Sequence, residues 1–381
     1  MRIVMVGPFG MRPKGTMSVR ALPMARALAG RGHRVTLLLP PWQNPEDGGK
    51  RWHEDGVAVE NIPLPPRLPG AFHLLTARRL ARRALALGPD VIHFFKPKAY
   101  SGLAHWLIRR LPHRPRLVVD TDDWEGAGGW NEIGGYSAAQ RRIFAWQERW
   151  GLTHADAVTV ASRALQSLVW ALGVSPGRVS YVPNGVDHRQ PAPMKPANSP
   201  TILLYTRFFE FPPPRVIRLL GRVREAVPQA RLLVVGKGLA GEETELLALA
   251  EEAGLSQAVE YAGWIDPQDL GDAFAQAALA IYPFDDTLVN RTKCAVKLLD
   301  LAAAGLPVVA DAVGQNRETI RHNETGWLVS PGDDEGFTAA VVRLLQDDPL
   351  RARLGAAAAR DVRERLAWAR LVETVERAYG G

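Results

Sequence analysis

Cysteine is almost absent from this sequence. Cys294 is the single one among 381 residues, which excludes a disulfide framework. The nine histidines form neither an HExxH pattern nor a cluster with cysteine, so no structural metal site is expected. No uncharged apolar run reaches the roughly 18 residues that a bilayer-spanning helix needs. The opening MRIVMVGPFG breaks at glycine and proline and reads as a first strand rather than a signal peptide. A cytoplasmic protein is expected. No basic run interleaved with aromatics emerges, so nucleic acid is not an expected partner. Lysine is scarce too: 8 of the 47 basic residues, the rest arginine.

What is present is a globular composition, 46% hydrophobic and 23% charged, with an uneven charge. Residues 1–199 hold 27 Lys+Arg against 14 Asp+Glu, whereas residues 200–381 hold 20 against 26. The overall +7 is therefore a strongly basic half joined to an acidic one, and the first half is expected to meet an anionic partner. Short apolar runs alternate with amphipathic helical ones. Strands are expected at Arg2–Gly7, Arg34–Leu39, Val57–Ile62, Asp90–Phe95, Arg116–Asp120, Ala157–Val160 and Arg178–Val182. In the second half they are expected at Thr201–Thr206, Arg231–Val235, Val259–Ala262, Leu279–Tyr282 and Pro307–Ala310. Continuous apolar strands separated by helices mean parallel sheets covered on both faces, here an α/β chain of two doubly wound domains. The segment HRQPAPMKPANSP (188–200), with four prolines, reads as an extended linker. The expected division is a first domain at 1–190, a linker at 191–200, a second domain at 201–365 and a C-terminal helix at 366–381 that packs back on the first domain.

In open α/β sheets ligands bind at the carboxyl ends of strands, so the strand-to-helix loops are where chemistry is expected. The first, PFGMRPKGTM (8–17), brings Gly15 and Thr16 to the start of a helix at Ser18, where backbone N–H groups favour an anion. An ordinary strand–helix turn fits this loop equally well. Within Ala280–Ala310, Thr292 is placed to N-cap a helix beginning at Lys293. That helix would turn the N–H groups of Cys294, Ala295 and Val296 toward an anion beside Lys293 and Lys297. VPNG (182–185) taken alone is a turn.

LLDLAAAGLPVVA (298–310) resembles the signature of retaining GT-B glycosyltransferases of the group 1, or family 4, kind. Further pieces resemble the family in order: GHRVTLLLP (32–40), PDVIHFF (89–95), HADAVTVAS (154–162), VPNGVD (182–187), LLVVGKG (232–238) and NETGWLVSPGD (323–333). Together they cover nearly the whole chain. The resemblance implies two Rossmann-like domains facing a cleft, a nucleotide-diphosphate-sugar donor in the second domain and an acceptor in the first. Carried over by position, it implies that Arg207 binds the donor phosphates, Asp300 holds the ribose, Gly236, Lys237 and Gly238 form a close-approach loop, Trp264 and Ile265 flank the base, and Glu318 contacts the donor.

The chain departs from the pattern at three places. Thr292 stands where the family has a Glu, Pro212 where it has a Lys, and Asp122, in VVDTDDW (118–124), where it has a His. Lys293 or Lys297 is placed to supply the missing cation, and Asp285 and Asp286 are candidates for the missing carboxylate. Catalytic roles are therefore expected for Asp122, Arg207 and Lys297. The Asp-x-Asp within DTDD keeps Mg²⁺ or Mn²⁺ open, but GT-B members typically need no metal, so no cofactor beyond the donor is expected.

His93, Lys96, Lys98 and Trp124 are expected to line an acceptor pocket, a buried core histidine being the other reading of His93. The segment 74–87 is a basic amphipathic helix with Arg78, Arg79, Arg82 and Arg83 on one face at about 100° per residue. That face is either simply solvated or docks on an anionic membrane as a peripheral contact. The expected activity is hexosyl transfer to an acceptor hydroxyl, lipid-linked or phosphorylated, in glycolipid, glycan or cell-envelope synthesis. A nucleotide-sugar epimerase on the same fold and a non-catalytic nucleotide-sugar or membrane-binding protein are the alternatives.

Overall fold

The computed structural model describes residues 1–13, 15–67, 71–187, 197 and 199–380. Most of the expected linker at 191–200 lies outside these residues, as does Lys14 of the first loop. The chain divides into two compact units. One comprises Met1–Gly185 with Thr292–Cys294 and Trp368–Gly381; the other comprises Val186–Arg291 with Ala295–Ala367.

The first unit is built on eight strands: β1 (Arg2–Val6), β2 (Arg34–Leu39), β3 (Arg51–Glu54), β4 (Val57–Asn61), β5 (Val91–Phe95), β6 (Arg116–Thr121), β7 (Ala157–Val160) and β8 (Val179–Tyr181). Their order is β3-β4-β2-β1-β5-β6-β7-β8, parallel except for the β3–β4 hairpin. The second unit has six, β9 (Thr201–Thr206), β10 (Arg231–Gly236), β11 (Val259–Gly263), β12 (Leu279–Tyr282), β13 (Val308–Asp311) and β14 (Trp327–Val329), all parallel in the order β11-β10-β9-β12-β13-β14. Setting β3 aside, both sheets run 3-2-1-4-5-6 in their own numbering, with β8 added as a seventh strand at the edge of the first. Each first strand, β1 or β9, lies between its second and fourth, so each unit has a topological switch point where loops diverge and ligands are accommodated.

Near-continuous burial along β5, β7, β12 and β13 follows from their Val, Ile, Ala and Phe content, since helices cover both faces. In the first unit, helices Leu22–Gly30 and Trp368–Ala378 cover one face of the sheet. Helices Phe72–Ala86, Ala99–Ile108 and Ala138–His154 cover the other.

Two elements depart from the sequence reading at the loops of interest. The first helix opens as a wide π turn, Met17–Ala21, before Leu22–Gly30. Thr292 ends a short helix, Leu288–Thr292, and the next helix runs Val296–Ala303 with Ala295 as its uncapped first flank. Thr292 is therefore not an N-cap. Its carbonyl instead accepts from the Ser162 hydroxyl at 3.0 Å.

Each unit contains a buried arginine reaching from its first helical segment to an aspartate on its fifth parallel strand. Arg20 donates through Nε and Nη2 to both oxygens of Asp120 (2.7 and 2.6 Å), and further to Asn184 Oδ1 (3.0 Å) and the Val182 carbonyl (2.9 Å). Neither side chain of the Arg20–Asp120 pair is exposed. Arg215 forks onto Asp311 (2.8 and 2.9 Å) and reaches Asp334 (2.8 Å). Deleting one partner of such a pair leaves a charge in a medium that cannot solvate it. Arg20→Met is expected to lower stability to urea by about 3–5 kcal/mol; an unchanged midpoint would show that the pair contributes nothing.

Candidate functional site

In the second unit the loops at the switch point follow β9, β10 and β12. After β9 the chain turns sharply: Phe208 takes φ 69° and is buried, its N–H donating to Thr206 Oγ1 at 2.8 Å. That anchor leaves Arg207 exposed at the strand end. The Thr206 hydroxyl donates to Glu210 Oε2 at 3.2 Å, and Asn290 Nδ2 holds the Glu210 carbonyl at 2.8 Å and that of Asp285 at 2.9 Å, tying the loop after β12 to the loop after β9. At the end of β10, Gly236 has φ 129°, and a Cβ there would lie 1.9 Å from the Thr206 carbonyl oxygen. Only glycine permits β9 and β10 to end this close together.

Exposed Lys237 and half-buried Gly238 follow. The Gly238 N–H is occupied, donating to Glu243 Oε2 at 2.9 Å. Lys297, from helix Val296–Ala303, places its ammonium 3.4 Å from the centre of the Tyr205 ring. Asp300, one turn on, lies close enough to raise the Tyr205 hydroxyl further above the range that burial already gives it. Arg207, Gly236, Lys237, Gly238, Lys297 and Asp300 thus all lie at the carboxyl ends of β9 and β10 or on the helix that follows β12. Trp264 is exposed, Ile265 packs partly on the core, and Glu318 is half-buried on the short helix Asn316–Thr319. The anion site expected at Cys294 to Val296 is weakened, because the Ala295 N–H donates to Gln315 Oε1 at 2.6 Å.

In the first unit the rim of β5 and β6 is a network of lysines and carboxylates. Asp122 is buried. Its Oδ2 accepts from the Thr16 hydroxyl at 3.0 Å, and its Oδ1 pairs with the Lys96 ammonium at 3.0 Å. Lys96 also meets Asp123 (2.7 Å) and Glu125 (3.4 Å), and Lys98 meets Glu125 (2.7 Å) and Asn131 Oδ1 (2.7 Å). Burial is the largest influence on Asp122 and raises its carboxyl to about 6, against the pull of Lys96. Asp123 moves the other way, because Lys96 and Lys293 outweigh its burial. Thr16 and Asp122 are therefore brought together by the fold, and Gly15 lies exposed beside them. Among the described residues no group of three His, Cys, Asp or Glu is arranged to hold a metal ion. In the DTDD loop a lysine ammonium lies among the carboxylates.

Several expected acceptor contacts are corrected. His93 is fully buried, with Nδ1 on the Tyr379 hydroxyl (2.8 Å) and Nε2 on the Thr159 hydroxyl (3.1 Å), and burial lowers it to about 4. It is a satisfied core histidine and cannot touch a ligand. Lys96 and Lys98 are buried and committed to carboxylates, so they do not offer open cations to an anion. Trp124 is half-buried, its indole N–H donating to the Ala127 carbonyl at 2.9 Å. On helix Phe72–Ala86, Arg83 forks onto Glu60 (2.6 and 2.7 Å) and Arg79 caps the Pro63 carbonyl (3.1 Å), leaving Arg78 and Arg82 exposed.

No sequence motif signals the Arg20–Asp120–Asn184 cluster. Glu148 was missed as well. It is fully buried, accepts from the Thr121 hydroxyl at 3.0 Å through one oxygen, and among the described residues has no hydrogen-bond partner for the other. Burial chiefly, with Glu125 adding to it, raises Glu148 to about 8. Because the folded value lies above the ordinary 4.5, the protonated form stabilises the fold fully below about pH 4.5, and that contribution is lost as pH rises through about 8. Glu148→Gln is expected to remove a stability decline of about 2–4 kcal/mol between pH 5 and pH 9, measured by urea titration. A decline of the same size in the variant would assign it elsewhere.

Residues 15–185 match the family described as Glycosyl transferase 4-like domain, and residues 201–347 match Glycosyl transferases group 1. The chain is 27% identical to a phosphatidyl-myo-inositol mannosyltransferase of Mycobacterium leprae, over 100% of this chain and 96% of the relative. It is 28% identical to a GDP-mannose-dependent alpha-(1-6)-phosphatidylinositol monomannoside mannosyltransferase of Mycolicibacterium smegmatis, over 86% of this chain and 85% of that one. Among solved structures, sucrose-phosphate synthase of Thermosynechococcus elongatus superposes with a TM-score of 0.77 at 21% identity, covering 100% of this chain and 98% of the other. Anabaena HepE in complex with UDP-glucose does so with a TM-score of 0.72 at 17% identity, covering 100% and 99%. The fold, the two switch points and the two family matches agree: this chain belongs to the group 1, family 4 glycosyltransferases and has their GT-B fold.

Proposed function

We propose that this enzyme moves a hexose from a nucleoside diphosphate sugar, held by its second unit, to a hydroxyl of an acceptor held by its first, with retention of anomeric configuration. The observation that carries this reading is the convergence at the second switch point: exposed Arg207 at the end of β9, the Gly236–Gly238 loop drawn against it, and Lys297 on the helix beyond β12. An arginine presents a planar fork to phosphate oxygens, and Lys297 adds a second positive charge. Both stabilise the diphosphate as negative charge builds on it during departure. Asp300 is placed to take the ribose hydroxyls, Trp264 and Ile265 the base, and Glu318 the donor sugar. Lys237 completes the donor contacts. These cations supply the charge that a divalent metal would otherwise bring, so the reaction runs without one.

In the first unit Asp122 orients a hydroxyl through an ionised carboxylate, with Thr16 and Lys96 fixing both its oxygens. Trp124 offers the acceptor an aromatic face. The names of the relatives support GDP-mannose as donor and a phosphatidylinositol-type lipid as acceptor, hence glycolipid synthesis at the inner face of a membrane. Among the described residues no helix is long and apolar enough to cross one, and the association is peripheral, with Arg78 and Arg82 as one anionic-surface contact.

Arg207→Ala is expected to lower kcat/KM for the donor by about 10²–10³-fold. Asp122→Asn is expected to lower kcat with little change in KM. Wild-type kcat/KM should rise with pH through about 6 as Asp122 ionises, and the variant should lose that limb. Nucleoside diphosphate release measured across pH checks all three. An unaltered rate in Arg207→Ala, or a donor returned as its epimer with no transfer, contradicts the reading.

A further inference from the structure

Helix Ala138–His154 is anchored on one side only. Ser137 and Gln140 form a reciprocal cap at its start: the Gln140 N–H donates to Ser137 Oγ at 3.3 Å and the Ser137 N–H to Gln140 Oε1 at 2.9 Å. Gln147, Glu148, Gly151 and Leu152 face inward. At about 100° per residue, Arg142, Ile143, Trp146, Arg149 and Trp150 share the opposite face. Ile143 is 53% exposed and Trp146 46%, although both are large apolar side chains.

The aromatic part of this face is continuous with the core. Trp146 stacks on Trp150 (6.2 Å between centres), Trp150 stacks on His154 (4.5 Å), and buried His105 lies 5.1 Å from Trp150. The charge on the face has one sign. Arg142 and Arg149 are exposed and form no ion pair among the described residues. Glu148, the only carboxylate of the helix, is turned inward and held protonated at neutral pH by burial.

We propose that this face docks the chain on an anionic lipid surface, with Trp146 and Ile143 entering the headgroup boundary and Arg142 and Arg149 pairing with lipid phosphates. Indole rings favour that boundary because one edge is polar and the body apolar, and a face of arginine with Trp and Ile is the composition of an interfacial helix. A second copy of the chain is a poor occupant, because a two-fold contact through this face would set Arg142 and Arg149 against their own images. The helix packs against Ala99–Ile108, which packs against Phe72–Ala86. The exposed Arg78 and Arg82 therefore belong to the same helical layer and reinforce the contact. The inference deepens the lipid-acceptor reading and rests on it for its purpose. Vesicle binding is measured without donor or acceptor, so the two can fail separately.

The test is flotation of the full chain at low salt with vesicles of phosphatidylcholine and phosphatidylglycerol, and with phosphatidylcholine alone. Wild type is expected to float with the anionic vesicles only. Arg142→Gln/Arg149→Gln is expected to bind them about thirtyfold more weakly, from the usual contribution of two basic residues at an anionic surface. Ile143→Ser/Trp146→Ala should fall at least as far. Both substitutions are at the surface, and an unchanged melting midpoint verifies the fold. Wild type that stays with the buffer, equal flotation on neutral vesicles, or a loss confined to Arg78→Gln/Arg82→Gln overturns the proposal.

Discussion

In each unit an arginine from the first helical segment is withdrawn from water and closed onto an aspartate of the fifth parallel strand: Arg20 on Asp120, Arg215 on Asp311. The rims depend on these two pairs. Asp120 lies two residues before Asp122, so the Arg20 fork fixes where the DTDD loop leaves β6 and also holds Val182 and Asn184. Asp311 accepts the Phe284 N–H at 2.7 Å as well as the Arg215 fork, which fixes the loop after β12. A buried ion pair is a weak source of net stability, because removing two charges from water costs about as much as their attraction returns. It is effective at imposing one geometry, since any displacement leaves a charge unpaired. Loops that must present ligand groups reproducibly benefit from that constraint.

The architecture was legible because parallel strands buried on both faces leave continuous apolar runs such as VIHFF and LAIY. The two strands missed were those without such a run. β3, RWHE, is a half-exposed edge strand, and its only signal was the Asp55-Gly56 pair (φ 49° and 81°) that turns it into β4. β14 is three residues long. Gly236 shows what a sequence does record: a position where a side chain cannot fit is written as glycine. Partnerships were not recorded. Nothing in KPK (96–98) says that both ammoniums are consumed by Asp122, Asp123 and Glu125, and nothing in VPNG says that Asn184 meets Arg20. His93 looked available because it follows a strand's apolar residues, yet Thr159 and Tyr379 occupy both its nitrogens.

The same blindness to partners altered the electrostatic account. Counting charge along the chain made the first unit a basic surface. In space Arg20, Arg83, Lys96 and Lys98 are spent on carboxylates, whereas Arg78, Arg82, Arg142 and Arg149 at the outer helical layer form no ion pair among the described residues. The rim of β5 and β6 is instead a balanced lysine–carboxylate network in which Asp122 titrates near neutrality. A carboxyl at the position where relatives of the family carry a histidine exchanges a positive or neutral donor for a negative acceptor. Under the proposed reading, this position receives a hydrogen bond from a substrate hydroxyl.

The central claim is sugar transfer with retention from a nucleoside diphosphate sugar. Its most direct test is a proton NMR time course of the purified enzyme with GDP-mannose and a phosphatidylinositol acceptor, following the anomeric signal from donor to product. The account predicts loss of the donor's α-anomeric signal in step with a new α-glycosidic one. A β-configured product, or a donor signal that changes sugar while still attached to its nucleotide, would contradict it.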